Sequence, residues 1–244
     1  SLGAIPKNYG VAHAVKVSIN NTGSYTLNNL PVSLSVSGAN TFSDVKTINN
    51  IAPGGFALVT FNAFTPANVG TNSIVVSVPT DGNNANNSNT WSQNVTNNIF
   101  SYKDPSQTFT GNVSPSLTAT GAILAKFTTA NMYGNADTLN EIQVDFNTSG
   151  VSYKIGIFDA TGPGGAPGND LYPTSPTLTT NVGTAYVPVP NIVVSGTYYV
   201  GVIQTTTTAV GFRYQSESPI RTNSFYFVSP YTTPITWTDF GAGN

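Results

Sequence analysis

The chain has 244 residues, of which eight are Lys or Arg, ten are Asp or Glu, one is His and none is Cys. So few ionisable groups leave little for acid–base or metal chemistry, and a net charge of −2 without a basic stripe argues against nucleic acid as a partner. With 39% apolar residues and 86 Ser, Thr or Asn, the chain is expected to build ordinary cores beneath a surface of hydroxyls and amides.

The length allows two domains of ~100–150 residues, stable without disulfides. No apolar run approaches the ~18–20 residues of a membrane span, so membrane insertion is not expected. The start, Ser1-Leu2-Gly3-Ala4, has no basic region followed by an apolar block, and an export signal is not visible in it.

Apolar residues recur with a period of two, which predicts half-buried antiparallel strands. In chain order the first are His13-x-Val15-x-Val17-x-Ile19, Leu30-x-Val32-x-Leu34-x-Val36 and Ala57-x-Val59-x-Phe61. Ile74-x-Val76-x-Val78 and Trp91-x-Gln93-x-Val95 follow. Turn clusters stand between them at Asn20-Asn21-Thr22-Gly23, Ala52-Pro53-Gly54-Gly55 and Asp81-Gly82-Asn83-Asn84. Residues 1–97 therefore read as an immunoglobulin-like sandwich of about seven short strands.

A second series begins after Asn97-Asn98. Its strands are Ile142-x-Val144-x-Phe146, Tyr153-x-Ile155-x-Ile157, Tyr198-x-Val200-x-Val202 and Val210-x-Phe212-x-Tyr214, then Phe225-x-Phe227 and Ile235-x-Trp237. Long Gly/Pro loops such as 161–169 fit a larger, jelly-roll-like sandwich over residues 98–244. No segment holds helical spacing, so the expected class is all-β, two antiparallel sandwiches in tandem.

A family resemblance follows from particular stretches. Pro6-Lys7-Asn8-Tyr9-Gly10, His13-Ala14-Val15-Lys16-Val17, Ile51-Ala52-Pro53-Gly54-Gly55 and the Asn-rich run 82–88 resemble bacterial cell-adhesion-related (CARDB-like) modules of large exported Bacteroidota proteins. Residues 98–244 are similar to the module that often follows, through Phe158-Asp159-Ala160-Thr161-Gly162, Gly196-Thr197-Tyr198-Tyr199-Val200-Gly201-Val202 and Trp237-Thr238-Asp239-Phe240. The resemblance implies type IX secretion cargo, and relatives carry a further short strand after the Trp-Thr-Asp-Phe segment. A sandwich short of that strand invites strand addition from a neighbour.

No catalytic residue is expected. His13 has no second His or Cys for a zinc site and reads as structural. Glu141 and Asp145 share a strand face about 13 Å apart, too wide for paired glycosidase carboxylates. No Gly-x-Ser-x-Gly elbow occurs. Calcium is the one candidate cofactor, with Asp81 in the Asn-rich loop and Asp159 and Asp170 closing the 161–169 loop as candidate ligands; turn formation explains the same residues. Candidate ligand-binding residues are Tyr199 and Tyr226, out of phase with their inward neighbours and so candidates for an outer face, where packing is the competing explanation. Arg213 joins them as a candidate, with an ion pair to Glu217 as the simpler alternative. Asp137-Thr138-Leu139 matches a short O-glycosylation signal, at Thr138.

The sequence thus reads as a non-catalytic structural or adhesive segment of an extracellular or cell-surface protein. Its expected partners are other protein modules, extracellular glycans or further copies of itself. The alternative is a carbohydrate-binding module pair of a secreted enzyme.

Overall fold

The computed structural model describes residues 3–7, 14–129, 136–217 and 220–242. His13 lies outside them. The chain divides into two compact units, Ser1–Gln107 and Thr108–Asn244, and the described residues are overwhelmingly strand and turn. The all-β expectation holds.

The first unit contains β1 (Ala4–Pro6), β2 (Lys16–Asn20), β3 (Leu27–Gly38), β4 (Phe42–Ile51), β5 (Phe56–Thr60), β6 (Gly70–Ser77) and β7 (Ser88–Thr96). A five-stranded sheet in the order β1-β7-β6-β3-β4 faces a β2-β5 ribbon. The alternation read from sequence is what fills the space between them. Val32, Leu34 and Val36 of β3 and Ile74 and Val76 of β6 meet Val15, Val59, Phe61 and Phe64, while Ser33 and Ser35 stand on the other face of β3.

Strand β4 carries no apolar alternation in its sequence, because two of its inward positions are charged. Phe42 and Ile48 pack on the core and Phe42 stacks on Phe64 at 5.2 Å, but Asp44 and Lys46 lie between them. Those two charges pair at 3.3 Å and share Asn62: its backbone N–H donates to Asp44 at 2.7 Å, and Lys46 Nζ donates to its side-chain oxygen at 2.8 Å. The Asn62 N–H holds the Asp44 carboxyl below its ordinary range, against the upward pull of desolvation. Inward charges on a long edge strand also discourage a foreign strand from pairing there.

The first unit buries amides where a charge-rich protein would place ions. Asn72 and Gln93 are fully buried neighbours across β6 and β7, and Asn72 Nδ2 donates to Gln93 Oε1 at 3.4 Å. Asn40 donates its backbone N–H to Asn72 Oδ1 at 2.9 Å, and its own Oδ1 accepts from the N–H groups of Ala67 and Asn68. Neutral amides satisfy buried backbone without the desolvation penalty of a charge.

The two ends of this unit lie side by side. Strand β1 pairs in parallel with β7, and Ala4 exchanges two 3.0 Å hydrogen bonds with Ser101, which runs antiparallel to it. Gly3 is pressed against the Lys103 carbonyl so closely that a Cβ would sit 1.6 Å from its oxygen. The chain enters and leaves the unit at one place.

The second unit contains β8 (Gly111–Val113), β9 (Gly121–Thr128), β10 (Ala136–Phe146), β11 (Ser152–Asp159), β12 (Leu178–Thr179), β13 (Gly183–Ser195), β14 (Thr197–Gln204), β15 (Phe212–Tyr214), β16 (Phe225–Val228) and β17 (Thr238–Asp239). They form a four-stranded sheet, β13-β10-β15-β8, and a six-stranded sheet, β12-β11-β14-β9-β16-β17. The main core lies between the sheets, with Phe146, Tyr153, Ile155, Ile157, Tyr198 and Phe212 among its members. A second core covers the far face of the six-stranded sheet. There Leu124, Phe158, Tyr199 and Tyr226 lie beneath Ala166, Tyr231, Ile235 and Trp237 from the loops.

One expectation changes here. Ile235 and Trp237 are cover rather than strand: Trp237 meets Phe158 edge-on at 5.6 Å and Tyr231 at 6.3 Å. The strand begins one residue later, as β17, and pairs with β16 through Tyr226↔Asp239 and Phe227↔Thr238. The edges of the second unit are blunted: β12 and β17 are two residues long, β8 is three, and β13 carries Pro188 and Pro190. Short edges and the two prolines each reduce the ladder groups open to a foreign strand.

Candidate functional site

Tyr199 and Tyr226 do not face solvent. Tyr199 is 0% exposed and Tyr226 6%. Their rings meet edge-on at 5.3 Å, the Tyr199 hydroxyl donates to the Gly165 carbonyl, and the Tyr226 hydroxyl donates to Asn223 at 3.2 Å. Burial, helped by the nearby Asp239 carboxylate, pushes the Tyr226 hydroxyl above its ordinary pKa. The reason is the position of β14 in its sheet. Flanked by β11 and β9 and covered on both faces, it is buried at Tyr198, Tyr199, Val200, Val202, Ile203 and Gln204. A strand covered on both faces reads as an unbroken apolar run, and the run Tyr198-Tyr199-Val200-Gly201-Val202-Ile203 was the signal.

Asp159 and Asp170 share one loop, as expected, but each closes a turn. Asp159 Oδ1 accepts from the Thr161 N–H at 3.1 Å, the Thr161 hydroxyl at 2.5 Å and the Asn169 N–H at 2.8 Å; its Oδ2 accepts from the Asn169 side chain at 2.9 Å. Desolvation acts against ionisation there, yet the Thr161 and Asn169 donors outweigh it and hold the carboxyl below its ordinary range. Asp170 accepts from the Tyr172 N–H at 2.8 Å, and its burial raises its pKa despite that bond and the charge of Lys154. Asp81 accepts from the Asn83 N–H at 2.7 Å and the Asn87 side chain at 3.3 Å. Among the described residues no three or more His, Cys, Asp or Glu gather as a metal would require.

Arg213 does not pair with Glu217. Its guanidinium lies over the Phe109 ring, 5.8 Å from the centroid. Glu217 is held instead by Arg221, whose Nε donates to it at 2.7 Å while Nη2 closes the second arm of the fork. Thr138 is exposed on β10 opposite Val193, its N–H donating to Asp137 at 2.7 Å.

What the sequence reading missed is the outer face of the four-stranded sheet. β10 and β13 pair over most of their length, with Gln143 opposite Tyr186, Glu141 opposite Pro188, Asp145 opposite Thr184 and Thr138 opposite Val193. Tyr186 is 61% exposed and Val193 64%. The Thr184 hydroxyl donates to Asp145 at 2.6 Å and Gln143 Nε2 donates to Glu141 at 3.3 Å. The pairing of Phe146 with Phe212 sets Arg213, the next residue of β15, on the same outward side as Asp145. The signal was present as Ala185-x-Val187-x-Val189 with Tyr186 out of phase, but the two prolines make the segment look like a loop.

The chain is an all-β protein of sandwich type, and the four-stranded sheet of its second unit has an exposed face with Tyr186 and Val193 among polar residues. No family model and no curated protein matches it. Among solved structures it is similar to the crystal structure of the cysteine protease and lectin-like domains of Cwp84, a surface layer associated protein of Clostridium difficile. The identity is 12% and the TM-score 0.38, over 87% of this chain and 54% of that one, so this chain spans about half of that chain's length. No helix among the described residues is long and apolar enough to cross a membrane.

Proposed function

We propose that the chain is a non-catalytic contact segment of an exported bacterial protein, two modules that display surface to extracellular partners at or near the cell surface. The observation that carries this reading is the asymmetry of the second unit. The six-stranded sheet is covered on its far face by a second core, whereas the four-stranded sheet leaves Tyr186, Val193 and their polar neighbours open. The resemblance to cell-adhesion-related modules of type IX cargo supports export. The candidate calcium ligands Asp81, Asp159 and Asp170 hold their own loops.

Display is favoured over spacing by the first unit. A module whose ends meet at Ala4 and Ser101 adds little length between them, and a pull on those ends peels their hydrogen bonds one after another.

The test is direct. Beads coated with the purified chain are exposed to surfaces bearing polysaccharide or glycoprotein, and both retention and soluble products are followed. Saturable retention without time-dependent release of reducing ends or peptides is expected. Steady product release by the pure chain would overturn the non-catalytic reading, and failure to adhere to any surface would overturn the contact reading.

A further inference from the structure

We infer that the β10–β13 face of the second unit is a track for a neutral, linear oligosaccharide, with Tyr186 as its stacking platform. This rests on the contact function above and names its ligand class. The pairing along the two strands is amphipathic in a particular way. On the outward face, three apolar residues of β13 stand opposite polar residues of β10: Tyr186 opposite Gln143, Pro188 opposite Glu141 and Val193 opposite Thr138. The track is therefore two strands wide, about 5 Å between its apolar and polar sides, and runs roughly 23 Å along β10 from Asp145 to Thr138 at the rise of a strand, across the register shift between Leu139 and Glu141.

That pattern suits a sugar chain better than a protein. A pyranose presents an apolar C–H face and an edge of hydroxyls, and the track offers a ring face on one side with amide, carboxylate and hydroxyl groups on the other. A protein interface needs a wider, contiguous apolar centre ringed by polar groups. Here the apolar residues form a single file on an edge strand. Charge points the same way. Glu141 and Asp145 are offset in part by Arg213 alongside, which leaves little field to recruit a polyanion or polycation.

The track is also fixed in advance. Asp145 is oriented by the Thr184 hydroxyl at 2.6 Å, Gln143 is tied to Glu141 at 3.3 Å, and Arg213 rests on Phe109. Prepositioned polar groups lower the ordering cost of binding. Pro188 and Pro190 stiffen the edge strand that carries Tyr186 and deny its edge to another strand.

The experiment uses the whole chain on an array of neutral β-glucan, mannan and chitin oligosaccharides, with uronic acid oligosaccharides as the charged contrast and protein-coated surfaces in parallel. At least one neutral class is expected to bind, about tenfold more weakly to Tyr186→Ala and several-fold more weakly to Gln143→Ala, with the melting temperature of both variants unchanged. Because the Tyr186 ring lies outside the core, its loss leaves the fold intact, and Gln143→Ala gives a second reading at the same place. Neutral sugar binding that survives both substitutions overturns the track. Preference for the uronic acid series, or silence on all sugars with protein retention lost in Tyr186→Ala, overturns the ligand class while the contact function stands. Silence on sugars and proteins alike overturns both.

Discussion

Tyr199→Ala is expected to destabilise the second unit by about 3–5 kcal/mol, a large share of the ~5–15 kcal/mol that holds a typical domain together. The ring is fully buried in the second core, edge-on to Tyr226, with its hydroxyl on the Gly165 carbonyl. Truncation leaves a cavity under the 161–169 loop and strands that carbonyl. Tyr199→Phe keeps the ring and removes only the hydrogen bond, so its cost is about 1 kcal/mol. Urea unfolding of the two variants beside the parent separates these values. If the alanine variant unfolds at the same urea concentration as the parent, the second core is not what holds the loops down.

Gln204→Leu is expected to cost about 3–5 kcal/mol although it adds apolar surface to a buried site. The side chain is 0% exposed and works in both directions: its Nε2 donates to the carbonyls of Ser116 at 3.1 Å and Ala119 at 2.6 Å, and its Oε1 accepts from the Val210 N–H at 2.8 Å. Leucine fills most of the volume and leaves three backbone groups without partners, each at about 1–3 kcal/mol with partial relief from solvent near Ser116 and Ala119. One amide thus ties the loop before β9 and the loop after β14 to the end of β14. Amide hydrogen exchange at Val210 reports the break locally, and the melting temperature reports its cost. Unchanged exchange at Val210 in the leucine variant would show that another acceptor holds that N–H.

These two residues explain how far the sequence could be read. Strands with one wet face were legible: β3, β6 and β10 lie where period-two alternation put them, because polar residues mark the solvent side, and β11 was found from Tyr153-x-Ile155-x-Ile157 although Phe158 on its other face is also buried. Strand β4 was hidden because Asp44 and Lys46 occupy inward positions and neutralise each other there. Strand β13 was hidden because Pro188 and Pro190 suggest a loop, although proline is tolerated where a strand has an unpaired edge. Tyr199 lies on the face that its phase gave it, opposite Tyr198, but the covering of that face was not legible. Phase along a strand tells which of two faces a residue is on, and says nothing of whether loops from 160–172 and 229–240 later cover that face. Tyr186, hidden with β13, stands 61% exposed.

The scarcity of charge takes on a definite structural meaning. Amides such as Asn40, Asn72 and Gln204 satisfy buried backbone, and the aspartates of the loops close turns. The described carboxylates on an open sheet face, Glu141 and Asp145, stand beside an exposed tyrosine rather than in a cleft.

The central claim is therefore about which aromatic rings lie outside. Nitration of the folded chain with tetranitromethane, followed by peptide mapping, tests it tyrosine by tyrosine. Tyr25, Tyr186 and Tyr214, exposed by 84%, 61% and 42%, are expected to react first. Tyr198, Tyr199 and Tyr226 are expected to stay unmodified until the chain unfolds, Tyr226 helped by a hydroxyl whose pKa burial has raised. Modification of Tyr199 as fast as Tyr186 in the folded chain would contradict the account, because it would place the sugar-stacking ring on the other sheet.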